Sequence, residues 1–274
     1  MPLAFMIRDI GRSDGGKGEG VNPIAEIYSR IPLALRAMPY AVAIPILAEF
    51  AQHVVEIQLG MYDPGGPGAA VNAPLRMIFG LIKVLCLLLF LLFAIRWWAF
   101  EGEAKRAATP GILFFKGLGL FMLIEFGGES LMRLMGQGLS WAAGSAIPMV
   151  GRIVIEALPI FLWWFAITLL LPWFIGMIVE DKDMNPRRSV TAIGPRIVST
   201  FGLLLAGLLP GVILHYAISY AAMGRAPALV WAMLLLDAFV VGLLAISLAS
   251  AYFTIYRHAA RRLRFGEEGE AGLA

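Results

Sequence analysis

Long apolar runs alternate along this chain with short stretches rich in charge, glycine and proline. Several runs are long enough to cross about 30 Å of hydrocarbon as a helix. The cleanest covers 157–179, ALPIFLWWFAITLLLPWFIGMIV, and carries no charge. The pattern predicts six spans, at 37–59, 75–100, 112–134, 153–179, 197–220 and 228–256. Asn22-Pro23 has the form of a helix N-cap followed by proline at the first helical position. The mixed apolar and charged segment 24–36 then reads as a lead-in helix lying on the surface.

Basic residues orient the spans. Arg96, Lys105 and Arg106 follow span two, and Lys182, Arg187, Arg188 and Arg196 separate spans four and five. Arg8, Arg12, Lys17 and Arg30 precede span one, and Arg257, Arg261, Arg262 and Arg264 follow span six. The alternate connections hold only Arg76, Arg152 and Arg225 near them. Basic loops stay in the cytoplasm, so both termini are expected there. The expected fold is all-α, a polytopic bundle of six transmembrane helices at 21–264. A flexible tail is expected at 1–20 and a disordered acidic tail at 265–274.

Once threaded in this way, the apolar runs hold their ionisable residues mainly in the outer half. At about 1.5 Å of rise per residue, His53 lies roughly 9 Å inward from Leu59, and Glu49 roughly 15 Å. Lys83, Glu125 and Asp237 fall at roughly 12–13 Å. Glu49, His53 and Glu56 are spaced to share one helix face, and Glu125, Glu129 and Arg133 form a second stripe. His215 lies toward the outer end of span five. Intramembrane charge is costly and faces the protein interior, a partner or a pathway. These nine residues therefore define a candidate polar cavity open to the non-cytoplasmic side. The competing reading makes them internal braces, with Lys83 paired to Glu125 and Arg133 to Glu129.

Composition agrees with the membrane class. The chain is 59% hydrophobic and 15% charged, too apolar for a soluble domain of 274 residues. A formal charge of +3 gives no reason to expect nucleic acid. The single Cys86 excludes an intrachain disulfide and a thiolate metal cluster. The fragment 11–17 has phosphate-loop spacing, but Gly18 stands where Ser or Thr would hold Mg²⁺. Segment 1–20 lacks the sustained apolar core of a signal peptide. No His-Glu-x-x-His or repeated Glu-x-x-His motif occurs, so no metal and no cofactor is expected; a haem or pigment at His53 or His215 is not favoured. No serine-nucleophile elbow is visible, and no catalytic residue is assigned.

Pro159, Pro172 and Pro210-Gly211 interrupt the apolar runs, while Gly117, Gly119, Gly202, Gly207 and Gly242 suggest close helix packing. A weak internal repeat aligns FLLFAIRWWAFEGEAKRAATPGILFF around Glu101 with LLLPWFIGMIVEDKDMNPRRSVTAIG around Glu180. The segments NPIAEIYSRIPLALRAMPY, LLLPWFIGMIVEDKDMNPRRSVTAIGPRIVSTFGLLLAG and ASAYFTIYRHAARRL together resemble a bacterial family. Its members are six-helix membrane proteins related to the membrane domain of some glycerophosphodiester phosphodiesterases. The resemblance covers most of 23–263 and implies the same six-helix fold, with no phosphodiesterase domain and no functional residue carried over.

The sequence thus leads to an expectation of a non-catalytic integral membrane protein of the bacterial cytoplasmic membrane. The role expected is an accessory or scaffold component packing against lipid, partner subunits or a second copy through small-residue faces. The alternative is a transporter or lipid-handling protein whose cavity lies in the outer half of the membrane. In either role Arg257, Arg261, Arg262 and Arg264 would contact anionic lipid headgroups on the cytoplasmic side.

Overall fold

The computed structural model describes residues 22–66, 68–144 and 147–271. The tail expected at 1–20, the loop-like spacing at 11–17 and the last residues of the tail at 265–274 lie outside the described residues. Among the described residues the chain is helical, without strands. It forms two compact units. One joins the chain up to Ala108 to Leu203–Thr254; the other joins Thr109–Gly202 to the chain from Ile255 onward.

The first unit opens with α1, Pro23–Ala37. The Asn22 side chain accepts from the Ile24 amide at 2.9 Å, and Pro23, having no N–H, costs the first turn nothing. This helix was expected on the surface, yet one face is buried. Arg30 pairs with Glu26 one turn earlier and donates to Ser250 Oγ at 3.1 Å and Thr254 Oγ1 at 2.6 Å. Its guanidinium also lies 5.0 Å from the centre of the Phe253 ring. The i,i+4 pairing neutralises both charges, which lets this amphipathic helix bury the face that carries them.

After the single residue Met38, α2 spans Pro39–Gln58, and α3 spans Pro74–Ala99 and packs against it. The short α4, Ala104–Ala108, folds back onto the end of α3. Arg96, read from the sequence as a loop charge, is only 1% exposed. It donates to the carbonyls of Ala107 at 2.8 Å and Arg106 at 3.0 Å, satisfying backbone that the turn leaves free.

The second unit begins with α5, Ile112–Met122, a π-helical turn at Leu123–Gly127, and α6, Gly128–Ala142. The run expected as one helix at 153–179 is instead broken into α7, Met149–Ile167, and α8, Leu171–Ile178. Proline explains the break. Pro172 has no amide to give the Thr168 carbonyl, and its ring would collide with that carbonyl in a continuous helix. Leu171 N–H reaches the Thr168 carbonyl instead, at 3.4 Å, and Thr168 Oγ1 turns back to the Trp164 carbonyl at 2.8 Å. Ser189 Oγ, from α9 at Pro186–Ile193, donates to the Leu169 carbonyl at 2.6 Å.

Two long helices complete the chain, α10 at Ile197–Ala222 and α11 at Pro227–Ala271, and each contributes to both units. Within the first unit Gly207 sits against Ser247 and Ala251, Gly211 against Leu244, and Gly242 against Ile46. A β-carbon at any of these positions would overlap its neighbour, so the small residues set how closely α10, α11 and α2 approach.

The two segments of the internal repeat end in the same backbone motif. Glu101 and Glu180, aligned in the sequence, adopt φ of 52° and 61° and are the only described non-glycine residues in the left-handed region. After α3, Gly102 N–H donates to the Trp97 carbonyl at 2.9 Å; after α8, Asp181 N–H donates to the Gly176 carbonyl at 2.8 Å. Glu101 and Glu180 amides reach Trp98 and Met177 at 3.3 and 3.2 Å. Both helices thus close with a Schellman pattern of hydrogen bonds, built around glutamate where glycine is usual.

Among the described residues, five helices are long and apolar enough to cross a membrane: Pro39–Gln58, Pro74–Ala99, Met149–Ile167, Pro186–Ala222 and Pro227–Arg264. The fold is therefore that of an integral membrane protein. The helical stretch 112–142, divided by its π turn, is not one of the five.

Glycine packing in the second unit is open to direct measurement. A β-carbon on Gly136 would fall 2.6 Å from the Glu156 carbonyl oxygen, whereas Gly138 faces open space. Gly136→Ala should lower stability by about 1–3 kcal/mol. Gly138→Ala should be neutral or stabilise by up to about 1 kcal/mol. Thermal unfolding of the two variants in the same detergent checks the contrast.

Candidate polar cavity

The C-terminal half of α2 carries Glu49, Gln52, His53 and Glu56 on one face, and all four are buried. Spacings of three and four residues put them there, but tertiary contacts decide what they meet. His53 lies at the centre. Its Nδ1 is 3.0 Å from Glu56 Oε2, while its Nε2 is 2.9 Å from Asp237 Oδ2 on α11 and 3.3 Å from Glu49 Oε1. Carboxylate oxygens thus face both ring nitrogens.

Asp237 is completely buried and collects three side chains. Besides His53, His215 Nδ1 on α10 approaches its two oxygens at 2.9 and 2.8 Å, and Ser219 Oγ donates to Oδ2 at 3.2 Å. Glu56 is as fully engaged. Gln52 Nε2 and Arg76 Nε each donate to its Oε1 at 2.9 Å, and the Tyr62 hydroxyl donates to Oε2 at 3.0 Å. Burial, and then the adjacent Glu56 carboxylate, hold the Tyr62 phenol well above its ordinary pKa, so it remains a donor.

The two permanent cations sit nearer solvent than the acids they pair with. Lys83 Nζ on α3 lies 3.1 Å from Glu49 Oε2, and Lys83 is 21% exposed against 1% for Glu49. Arg76 is 26% exposed against 5% for Glu56. Together with Met61, Val71, Tyr216, Tyr220 and Met223, these groups other than the fully buried Asp237 line a cavity of about 260 Å³. One buried acceptor on that lining, Gln52 Oε1, has no hydrogen-bond partner. Ligand atoms of Glu49, His215 and Asp237 all lie within 4.8 Å of one another, so these three residues could hold a cation.

Of the nine residues singled out in the sequence, Glu49, His53, Glu56, Lys83 and His215 line this cavity, and Asp237 lies behind it, bonded to His53 and His215. Glu125, Glu129 and Arg133 do not line this cavity and belong to the second unit. Lys83 reaches Glu49 rather than Glu125, because α3 packs directly on α2. The Glu129–Arg133 pair does form, at 2.9 Å, with Arg133 61% exposed. Glu125 sits within the π turn, and its Oε2 is buried without a hydrogen-bond partner. Of the basic group expected at lipid headgroups, Arg262 donates to the Ala192 carbonyl at 3.2 Å, while Arg261 and Arg264 are exposed.

Sequence reasoning missed Gln52, Tyr62 and Ser219, and it used Arg76 only as a loop charge. Gln52 was within reach, since it lies three residues from Glu49 and four from Glu56 on the same face. Ser219 was within reach for the same reason, four residues after His215 on α10, whereas Tyr62 carries no comparable signal. No family model, curated protein or solved structure matches the chain.

The pairing of buried acid with half-exposed base has a measurable consequence. Lys83→Met leaves the Glu49 carboxylate buried without its cation and should cost roughly 3 kcal/mol. Combining it with Glu49→Gln removes the uncompensated charge and should restore at least about half of that loss. Unfolding of the single and double variants in detergent gives the coupling.

Proposed function

We propose that the protein is a non-catalytic integral membrane protein that admits a small polar or ionic solute to the His53–Asp237 cavity, as a transporter or lipid-handling protein does. The observation carrying this reading is the convergence of Glu49, His53, Glu56, Lys83 and His215 around one cavity, with Asp237 bonded behind them from a fourth helix. Braces alone would be expected to close over themselves, because any unfilled space beside buried charge forfeits packing. Here about 260 Å³ remains beside them, with an acceptor left over on Gln52. That volume falls just below the range of sites for drug-sized ligands and suits an ion, a small solute or the head of a lipid.

Counting the stretch 112–142 as a span gives six crossings, and the distribution of basic residues then puts both termini in the cytoplasm. In that arrangement the cavity opens in the outer half of a bacterial cytoplasmic membrane. The accessory or scaffold reading draws on the mutual pairing of the same charges. It is weakened where Gly207, Gly211, Gly242, Gly117 and Gly136 already pack against neighbours within their own units. Those positions are therefore not free for a partner subunit, whereas Gly119 and Gly202 face open space.

Cysteine accessibility tests the proposal. In a Cys86→Ala background, Gln52→Cys in intact cells should react with a membrane-impermeant thiol reagent added from outside. Ile95→Cys, at a fully buried position, should not. Protection of Gln52→Cys equal to that of Ile95→Cys would overturn the reading.

A further inference from the structure

We propose that Glu49, His215 and Asp237 form a binding site for a divalent transition-metal cation of the zinc class, with His53 Nε2 as a fourth donor. The inference rests on the cavity reading above and names the solute. Its first support is the donor set. Two imidazole nitrogens and two carboxylate oxygens converge from α2, α10 and α11. Calcium and magnesium prefer oxygen alone, and copper(I) prefers sulfur; mixed nitrogen and oxygen suits zinc and its neighbours.

The second support is distance. His53 Nε2 and His215 Nδ1 lie 2.9 and 2.8 Å from Asp237 Oδ2, and His53 Nε2 lies 3.3 Å from Glu49 Oε1. Donors around tetrahedral zinc, each bonded at about 2.0–2.2 Å, stand about 3.4 Å apart. The ligand atoms of the three-residue set already lie within 4.8 Å of one another.

The arrangement behind His53 is the third support. Its Nδ1 faces Glu56 Oε2, which also receives the Tyr62 hydroxyl, so the ring is held with Nε2 turned toward Asp237 and Glu49. A carboxylate fixing the far nitrogen of a metal-binding imidazole is the usual outer partner in zinc sites. The fourth support is charge. Glu49, Glu56 and Asp237 outnumber Arg76 and Lys83 by one, so the cluster holds an excess carboxylate when both imidazoles are neutral. Gln52, a lining residue on the same helix face, keeps a buried acceptor, Oε1, without a hydrogen-bond partner.

Tag-free wild-type protein, stripped with chelator and placed in lipid nanodiscs, should bind about one Zn²⁺ per chain by titration calorimetry, with Mg²⁺ at least about 100-fold weaker. His215→Ala and Asp237→Asn should each abolish the binding, while Glu129→Gln in the second unit should leave it unchanged. Tyr62→Phe, which removes the hydroxyl behind His53 Nδ1 and Glu56 and leaves every ligand atom in place, should weaken it by about tenfold. Absence of zinc binding to the wild-type protein overturns the proposal, as does binding that survives both ligand substitutions. If zinc fails to bind while Gln52→Cys still reacts from outside, the metal assignment falls and the solute cavity stands. If both fail, the cavity reading falls too.

Discussion

The contact between His53 and Asp237 ties the ends of this molecule's first unit together. It joins α2 to α11 across 184 residues of sequence, and both partners are almost completely buried. Neither could be tolerated there alone, because an unpaired ionisable group in a low-dielectric interior costs several kcal/mol. Each therefore recruits others. Asp237 draws in His215 and Ser219, and His53 draws in Glu49 and Glu56. Lys83 and Arg76 then compensate the two glutamates from the more exposed side. The chain of compensation fixes which faces of α2, α3, α10 and α11 point at one another.

Elsewhere in the fold the same economy is achieved with backbone rather than charge. Arg96 spends its guanidinium on two free carbonyls of the α3–α4 turn. Ser189 serves the Leu169 carbonyl in the break that Pro172 forces between α7 and α8. In hydrocarbon every backbone polar group must find a partner inside the protein, so a broken helix persists only where such donors are supplied. The paired left-handed glutamates at 101 and 180 belong to the same theme. Two helix ends far apart in sequence, one in each unit, solve their free carbonyls with one geometry. That shared geometry gives the weak sequence repeat a structural counterpart at the residues where it was strongest.

Much of this was legible in the chain itself. Apolar run length, Asn22-Pro23 and the spacing of Glu49, His53 and Glu56 follow from local rules of period and capping, which act within a few residues. Those rules also predicted a depth for Asp237 comparable with that of His53. They could not say that Lys83 would choose Glu49 over Glu125, because that depends on which helices neighbour each other. Nor could they show that α1 buries Arg30, since its partners Ser250 and Thr254 lie more than 200 residues away. The sequence by itself determined that charge would be buried in membrane-spanning helices, because hydropathy and helical rise are properties of each segment alone. Only the tertiary structure decided that six of those residues share one bonded cluster, five of them lining its cavity, and three do not, because pairing energy depends on distances that helix packing sets.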